Sequence, residues 1–316
     1  MLEIYQRIWR ATGSGQIVLV VLSLSVAALA VVPLQYQKDI INGLAGDMER
    51  HELLRLGAQF LGFLVLSAAV KLVLGYRMSI ISETAIRLIR NRIYLKQSSP
   101  TEPSVDEPVQ QGTLATMIAA EAEEVGKFAG AAIATPVMKA GILVSVVAFI
   151  AVNQPYLGLF AMGVVLPQAL IVILLQKHIN ARIAERVKAL RLATNRIVAE
   201  DIKEAEQAIL SDFDTVYEAR RRIYLFKQSS KFALNTINGI GTAGVLVLGG
   251  WLVLEGRADI GIVVAAVTGL GRIAQPWREL IAFYRELSAV RVKFHLLLPA
   301  LPPIPDILRK AGNVSR

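Results

Sequence analysis

Six stretches of the chain are apolar almost without interruption, at about 17–34, 54–76, 133–152, 156–175, 233–254 and 260–281. A helix needs about 20 apolar residues to cross the hydrocarbon core of a bilayer. Each stretch comes close to that length, and none shows the period-two alternation of a barrel strand. The polar connections between them are uneven. "NQPY" at 153–156 leaves room only for a tight turn, whereas two connections run to roughly 55 residues. Within these long connections, "RLIRNRIYLKQ" and "HINARIAERVKALRLATNRIVAEDIKEAEQAIL" place apolar residues at spacings of three and four, which predicts helix. The pattern predicts an all-α membrane protein of six transmembrane helices, with long helical extensions leaving the membrane. At 1.5 Å per residue, about 25 added residues project about 37 Å.

Composition supports this reading. The chain has 316 residues, 54% of them hydrophobic, above the roughly 45–50% of an ordinary soluble domain. The net charge of +9 lies between apolar runs, which fits contact with anionic membrane lipids, and no nucleic-acid-binding motif is present. The chain has no cysteine, which excludes disulfides, thiolate metal sites and cysteine nucleophiles. His51, His178 and His295 are far apart and lack metal-ligand spacing. Arg7 and Arg10 before an apolar run, with "ALA" at 28–30, have the outline of a cleaved leader. The apolar pattern continues through Val31–Leu34 and five further spans follow, so a membrane helix is the expectation.

Orientation follows from lysine and arginine in the loops. Arg77, Arg87, Arg90, Arg92, Lys96 and Lys127 follow the second span. A denser set, from Lys177 to Lys231, follows the fourth. The other side has Lys38, Arg50, Arg55 and Arg257. Both termini are therefore expected in the cytoplasm, and the protein in the plasma (inner) membrane.

Several local patterns, taken in order, resemble a known family. "GTLATMIAAEAEEV" at 112–125, "NQPYLGLF" at 153–160 and "GGWLVLEGRADIGIVVAAV" at 249–267 resemble segments of the six-helix membrane domain of type I ABC exporters, as does Pro276 followed by Leu280. Glu121 stands where the family usually has Asp. The resemblance covers about 1–298, the expected transmembrane domain, and leaves 299–316 as a short cytoplasmic tail. It implies a half-transporter that pairs with a second copy or a related half. It also implies two intracellular tips that dock on a nucleotide-binding domain. The first, "QSSPTEPSVDEPVQQG" at 97–112, lacks the family's aromatic residues and is rich in proline; its candidate contacts are Ser99, Glu102 and Asp106. At the second, the candidates are Glu206, Ile209 and Phe213.

The sequence contains no phosphate-binding loop Gly-x-x-x-x-Gly-Lys-Ser/Thr; "VGKFAG" at 125–130 fails both flanking requirements. No catalytic residue, metal site or cofactor is expected in this chain, with ATP and Mg expected in a separate nucleotide-binding subunit. Pro302, Pro303 and Pro305 predict a stiff, extended tail. Two other readings stay open. One is a transporter of the same fold driven by an ion gradient, with Glu279 or Glu286 carrying protons. The other is a membrane scaffold that transports nothing.

Polar groups within the spans are the candidate pathway. Thr268, Arg272, Gln275 and Glu279 recur at i, i+4, i+7 and i+11 and share one helical face. With the membrane beginning near Gly261, Arg272 lies about 16 Å down the helix, near mid-bilayer. Asn235, Asn238 and Thr242 form a shorter stripe on the fifth span. An ionisable side chain at such depth usually faces a cavity or a partner. Arg272 in a cavity favours an anionic or zwitterionic cargo; the competing expectation is an Arg272–Glu279 or interhelical pair that only fixes packing. The small-residue run "NGIGTAGVLVLGG" at 238–250 permits close helix contact, either within the chain or in a dimer.

Overall fold

A computed structural model of the chain describes residues 2–97, 117–199 and 202–297. These residues form α1 (Leu2–Leu29), α2 (Val32–Ala45), α3 (Arg50–Gln97), a π-helical turn (Met117–Glu121) leading into α4 (Ala122–Ala131), α5 (Ala134–Asn153), α6 (Pro155–Ala199), α7 (Ile202–Leu254) and α8 (Ile260–Leu297). No strand occurs among the described residues. Among the described residues, six helical stretches are long and apolar enough to cross a membrane. The helical extensions expected from the sequence are present: α3 has 48 residues, α6 has 45 and α7 has 53.

The first span differs in detail. The pattern suggests one helix over 17–34, but α1 stops at Leu29 and α2 starts at Val32. Pro33 therefore sits in the first turn of a new helix, where its missing N–H has no partner to lose. A second irregularity lies at Thr12, whose φ of −136° and ψ of 15° bend α1. The surrounding Thr-Gly-Ser-Gly at 12–15 is a run of weak helix formers. Thr12 Oγ1 donates to the carbonyl of Ile8 (2.7 Å) and accepts from Gln16 Nε2 (3.0 Å). Pro167 and Pro276, by contrast, sit inside continuous helices.

The chain folds as two compact units. The first comprises the described parts of 1–33, 54–145 and 282–316. Its core gathers Ile8, Val125, Phe128, Phe283, Leu287, Val290 and Phe294. Phe128 and Phe283 stack with centroids 5.5 Å apart. The break between α4 and α5 interrupts the helical bonding, and polar side chains of α1 bond to carbonyls around it. Gln16 Nε2 donates to Ala129 (3.0 Å), Ser23 Oγ to Ala134 (3.2 Å) and the Tyr5 hydroxyl to Ala132 (3.5 Å). Burial raises the pKa of the Tyr5 phenol, which keeps it a donor there. Charged residues on α4 tie it to its neighbours: Glu123 pairs with Arg90 of α3 (3.4 Å), and Glu124 pairs with Lys293 of α8.

α4 also approaches α3 very closely. A Cβ on Gly130 would lie 2.3 Å from the Met78 carbonyl oxygen, and one on Gly126 would lie 2.8 Å from the Ile86 nitrogen. The hydroxyl of Ser82 bonds the Lys127 carbonyl (2.9 Å) across the same contact. The glycines of "VGKFAG" thus serve packing, as small-xxx-small pairs do between membrane helices.

The second unit comprises 34–53 and 146–281. α6 and α7 pack against each other, with Val164 against Gly241 and Phe160 against Gly244. One end of the unit is cross-tied. Lys38 Nζ on α2 donates to Asn153 Oδ1 at the end of α5 (2.7 Å). Gln154 Nε2, in the α5–α6 turn, donates to the Arg257 carbonyl of the α7–α8 turn (2.8 Å). Arg257 Nη2 donates to the Tyr156 hydroxyl (2.9 Å), and its guanidinium lies 4.9 Å from the centre of the Tyr156 ring. Gly256, with φ of 69°, supplies the left-handed residue of the α7–α8 turn.

The start of α8 is capped from elsewhere in the chain. Asn42 Oδ1 on α2 accepts the Gly261 N–H at 2.7 Å, satisfying one of the donors that a helix start leaves open. Asn42→Ala is expected to destabilise the protein by about 1 kcal/mol, with Asn42→Asp retaining the bond. Thermal melting in detergent checks this; equal melting of wild type and Asn42→Ala would show that the bond contributes nothing.

Candidate functional site

The polar stripe of α8 lies opposite its packed face. Ile262, Val263, Ala265, Ala266, Leu270 and Ile273 are buried. On the other side Arg272 and Gln275 are exposed, and Thr268 and Glu279 are half-buried. Gln275 Nε2 donates to Glu279 Oε1 at 2.9 Å. Arg272 makes no ion pair among the described residues. The expected alternative, an Arg272–Glu279 pair, is not formed; Glu279 bonds Gln275 one turn away instead. The guanidinium is left available to whatever occupies the adjoining space.

The α7 stripe behaves differently. Asn235 is exposed, while Asn238 and Thr242 are half-buried. Thr242 Oγ1 donates to the Asn238 carbonyl in its own helix (2.9 Å), which satisfies it locally. Asn238 Oδ1 is buried with no hydrogen-bond partner. No hydrogen bond joins the α7 stripe to the α8 stripe among the described residues. The structure also adds a residue that sequence reasoning missed. Gln168 of α6 is 1% exposed, and its Nε2 has no partner. The signal was a lone amide following Pro167 in an apolar span, which is easily passed over beside a proline.

Of the two expected docking tips, Ser99, Glu102 and Asp106 lie outside the described residues. The second tip falls near the start of α7. Glu206 and Phe213 are exposed there, while Ile209 is buried and so supports the stalk. Arg196, near the end of α6, donates to the Ala208 carbonyl (3.3 Å) and pairs with Asp212. This pair joins the two stalk helices close to their connection. Both groups are partly shielded, so a double-mutant cycle of Arg196→Ala and Asp212→Ala is expected to give a coupling of about 0.5–1 kcal/mol, falling at high salt. Additive effects of the two substitutions would show that the pair does not hold the stalk.

A family model described as ABC transporter transmembrane region matches residues 16–275. The chain belongs to this family. No match to a curated protein was found. An ABC transporter transmembrane region is the part embedded in the bilayer, so the chain is an integral membrane protein and a transport subunit. Within it, Arg272 is a cation exposed on the polar stripe of α8. A guanidinium so placed offers five donors to a carboxylate, phosphate or other anionic group, with no competing protein anion bound to it.

Proposed function

We propose that this chain is the transmembrane subunit of an ABC exporter-like transporter, forming the substrate pathway as a dimer with a second copy or a related half. ATP bound with Mg in a nucleotide-binding subunit drives it. The observation that carries this reading is the family match, joined to the long α6–α7 pair, whose stalk continues about 24 residues past the apolar stretch. A polar helical pair of that length needs a surface to rest on, and exposed Glu206 and Phe213 give it a charged and an aromatic contact. The loop charges support cytoplasmic termini and a place in the plasma (inner) membrane. Arg272, with Thr268, Gln275 and Asn235 nearby in sequence or on the adjoining span, lines the path and favours anionic or zwitterionic cargo.

The test is co-purification of the chain with a nucleotide-binding subunit, followed by transport in sealed vesicles. Transport that needs ATP and is blind to a protonophore supports the reading. Transport that a protonophore abolishes, with no ATPase present, would replace it with an ion-gradient mechanism. Phe213→Ala is the companion variant, since it is expected to weaken the complex without unfolding the stalk.

A further inference from the structure

Two buried amide groups in the second unit are unmatched, and the packing of α6 on α7 brings them to one level. Val164 meets Gly241, and one turn earlier on α6 Phe160 meets Gly244. Continuing the antiparallel register by one turn places Gln168 opposite Ile237 and Asn238. Gln168 Nε2 is a donor without an acceptor, and Asn238 Oδ1 an acceptor without a donor. Gln168 is 1% exposed, so bulk water does not satisfy it. Thr242, one turn along α7 from Asn238, is already committed to the Asn238 carbonyl. A buried polar group left unpaired pays its desolvation without return, and that happens here twice within one helix pair.

We propose that Gln168 and Asn238 form a polar subsite that takes a neutral hydroxyl or amide group of an amphiphilic molecule. A hydroxyl can donate to Asn238 Oδ1 and accept from Gln168 Nε2; an amide does the same with its N–H and its oxygen. Both protein groups are uncharged at every working pH, so an ionic group gains no counter-charge here. The subsite therefore differs in chemistry from Arg272, and an occupant of both would carry an anionic end and a neutral polar group. The proposal rests on the pathway reading only for the statement that the occupant is cargo.

The experiment uses the purified chain in phosphatidylcholine nanodiscs, with 1-decanol and decane as matched probes. Saturating decanol is expected to raise the apparent melting temperature by about 5 °C over decane. Gln168→Leu and Asn238→Leu should each abolish that difference and, without probe, melt no lower than wild type, since each removes an unpaired buried amide. A second set of nanodiscs contains dioleoylglycerol, a lipid bearing the same hydroxyl. A gain from dioleoylglycerol alone assigns the subsite to a lipid, and a gain from decanol alone to a molecule that enters freely. Three outcomes overturn the proposal: decanol and decane shift melting equally; the difference survives both substitutions; or each single variant loses stability and the double variant recovers it. The last outcome would show the two amides bonded to each other. None of these outcomes depends on ATP or a partner subunit, so failure here leaves the transport reading standing, and the reverse also holds.

Discussion

Arg272→Ala is expected to reduce transport on the order of tenfold or more while leaving the fold intact. Its side chain is exposed and makes no ion pair among the described residues, so its removal breaks no pair among them. A hydrogen bond to a charged group contributes about 1.5–3 kcal/mol, and each 1.4 kcal/mol is a factor of ten in affinity. Arg272→Lys should recover only part of the loss, because an ammonium cannot reproduce the planar fork. The chain has no cysteine, so Arg272→Cys creates a single reporter thiol. It should react with a membrane-impermeant thiol reagent. Unchanged transport by Arg272→Ala, with an unreactive thiol at the same position, would remove Arg272 from the pathway.

The second large effect is structural. Gly130→Val is expected to destabilise the protein by on the order of 3 kcal/mol, at the upper end of the cost of overpacking. The obstacle is backbone: the added Cβ would meet the Met78 carbonyl oxygen at 2.3 Å. A flexible side chain could rotate away, but α3 as a whole would have to move. That movement would stretch the Ser82–Lys127 bond and disturb the Phe128–Phe283 stack. Gly126→Val should act in the same direction. Gly163 and Gly239 are the controls, because nothing lies within 4 Å of a Cβ added at either. Alanine at these two positions should be neutral or stabilising, since glycine is the weaker helix former. Equal melting of Gly130→Val and wild type in detergent would refute the close contact.

The spans and their extensions were legible because hydropathy and a 3.6-residue period are local and repeat over dozens of residues. The turn at Gln154 was legible because Pro155 and the adjoining apolar runs leave no other reading. Breaks were harder. The apolar pattern ran unbroken through Pro33, whereas α1 ends four residues before it, and Thr12 bends α1 without any proline. Features that need two distant segments were not readable at all. Asn42 caps a helix more than two hundred residues later in the chain, and nothing local to Asn42 announces it. Gly126 and Gly130 drew notice for a nucleotide motif they do not complete, while their spacing of four fitted a helix contact with a partner still unknown. Within the candidate site, periodicity put Arg272 and Glu279 on one face. Only coordinates could show that Glu279 bonds Gln275 and that Gln168, on another helix, is left unmatched.

The ties at the closed end of the second unit have a mechanical consequence. α2, the α5–α6 turn and the α7–α8 turn are stitched together by bonds of 2.7–2.9 Å, and the two turns are too short to hold slack. The helices that leave this end therefore act as levers sharing one fulcrum. α7 is about 80 Å long at 1.5 Å per residue, so a tilt of about 5° at the ties displaces its far tip by about 7 Å. A rearrangement too small to break any bond at the fulcrum thus becomes a displacement of several ångströms at the far end of the stalk.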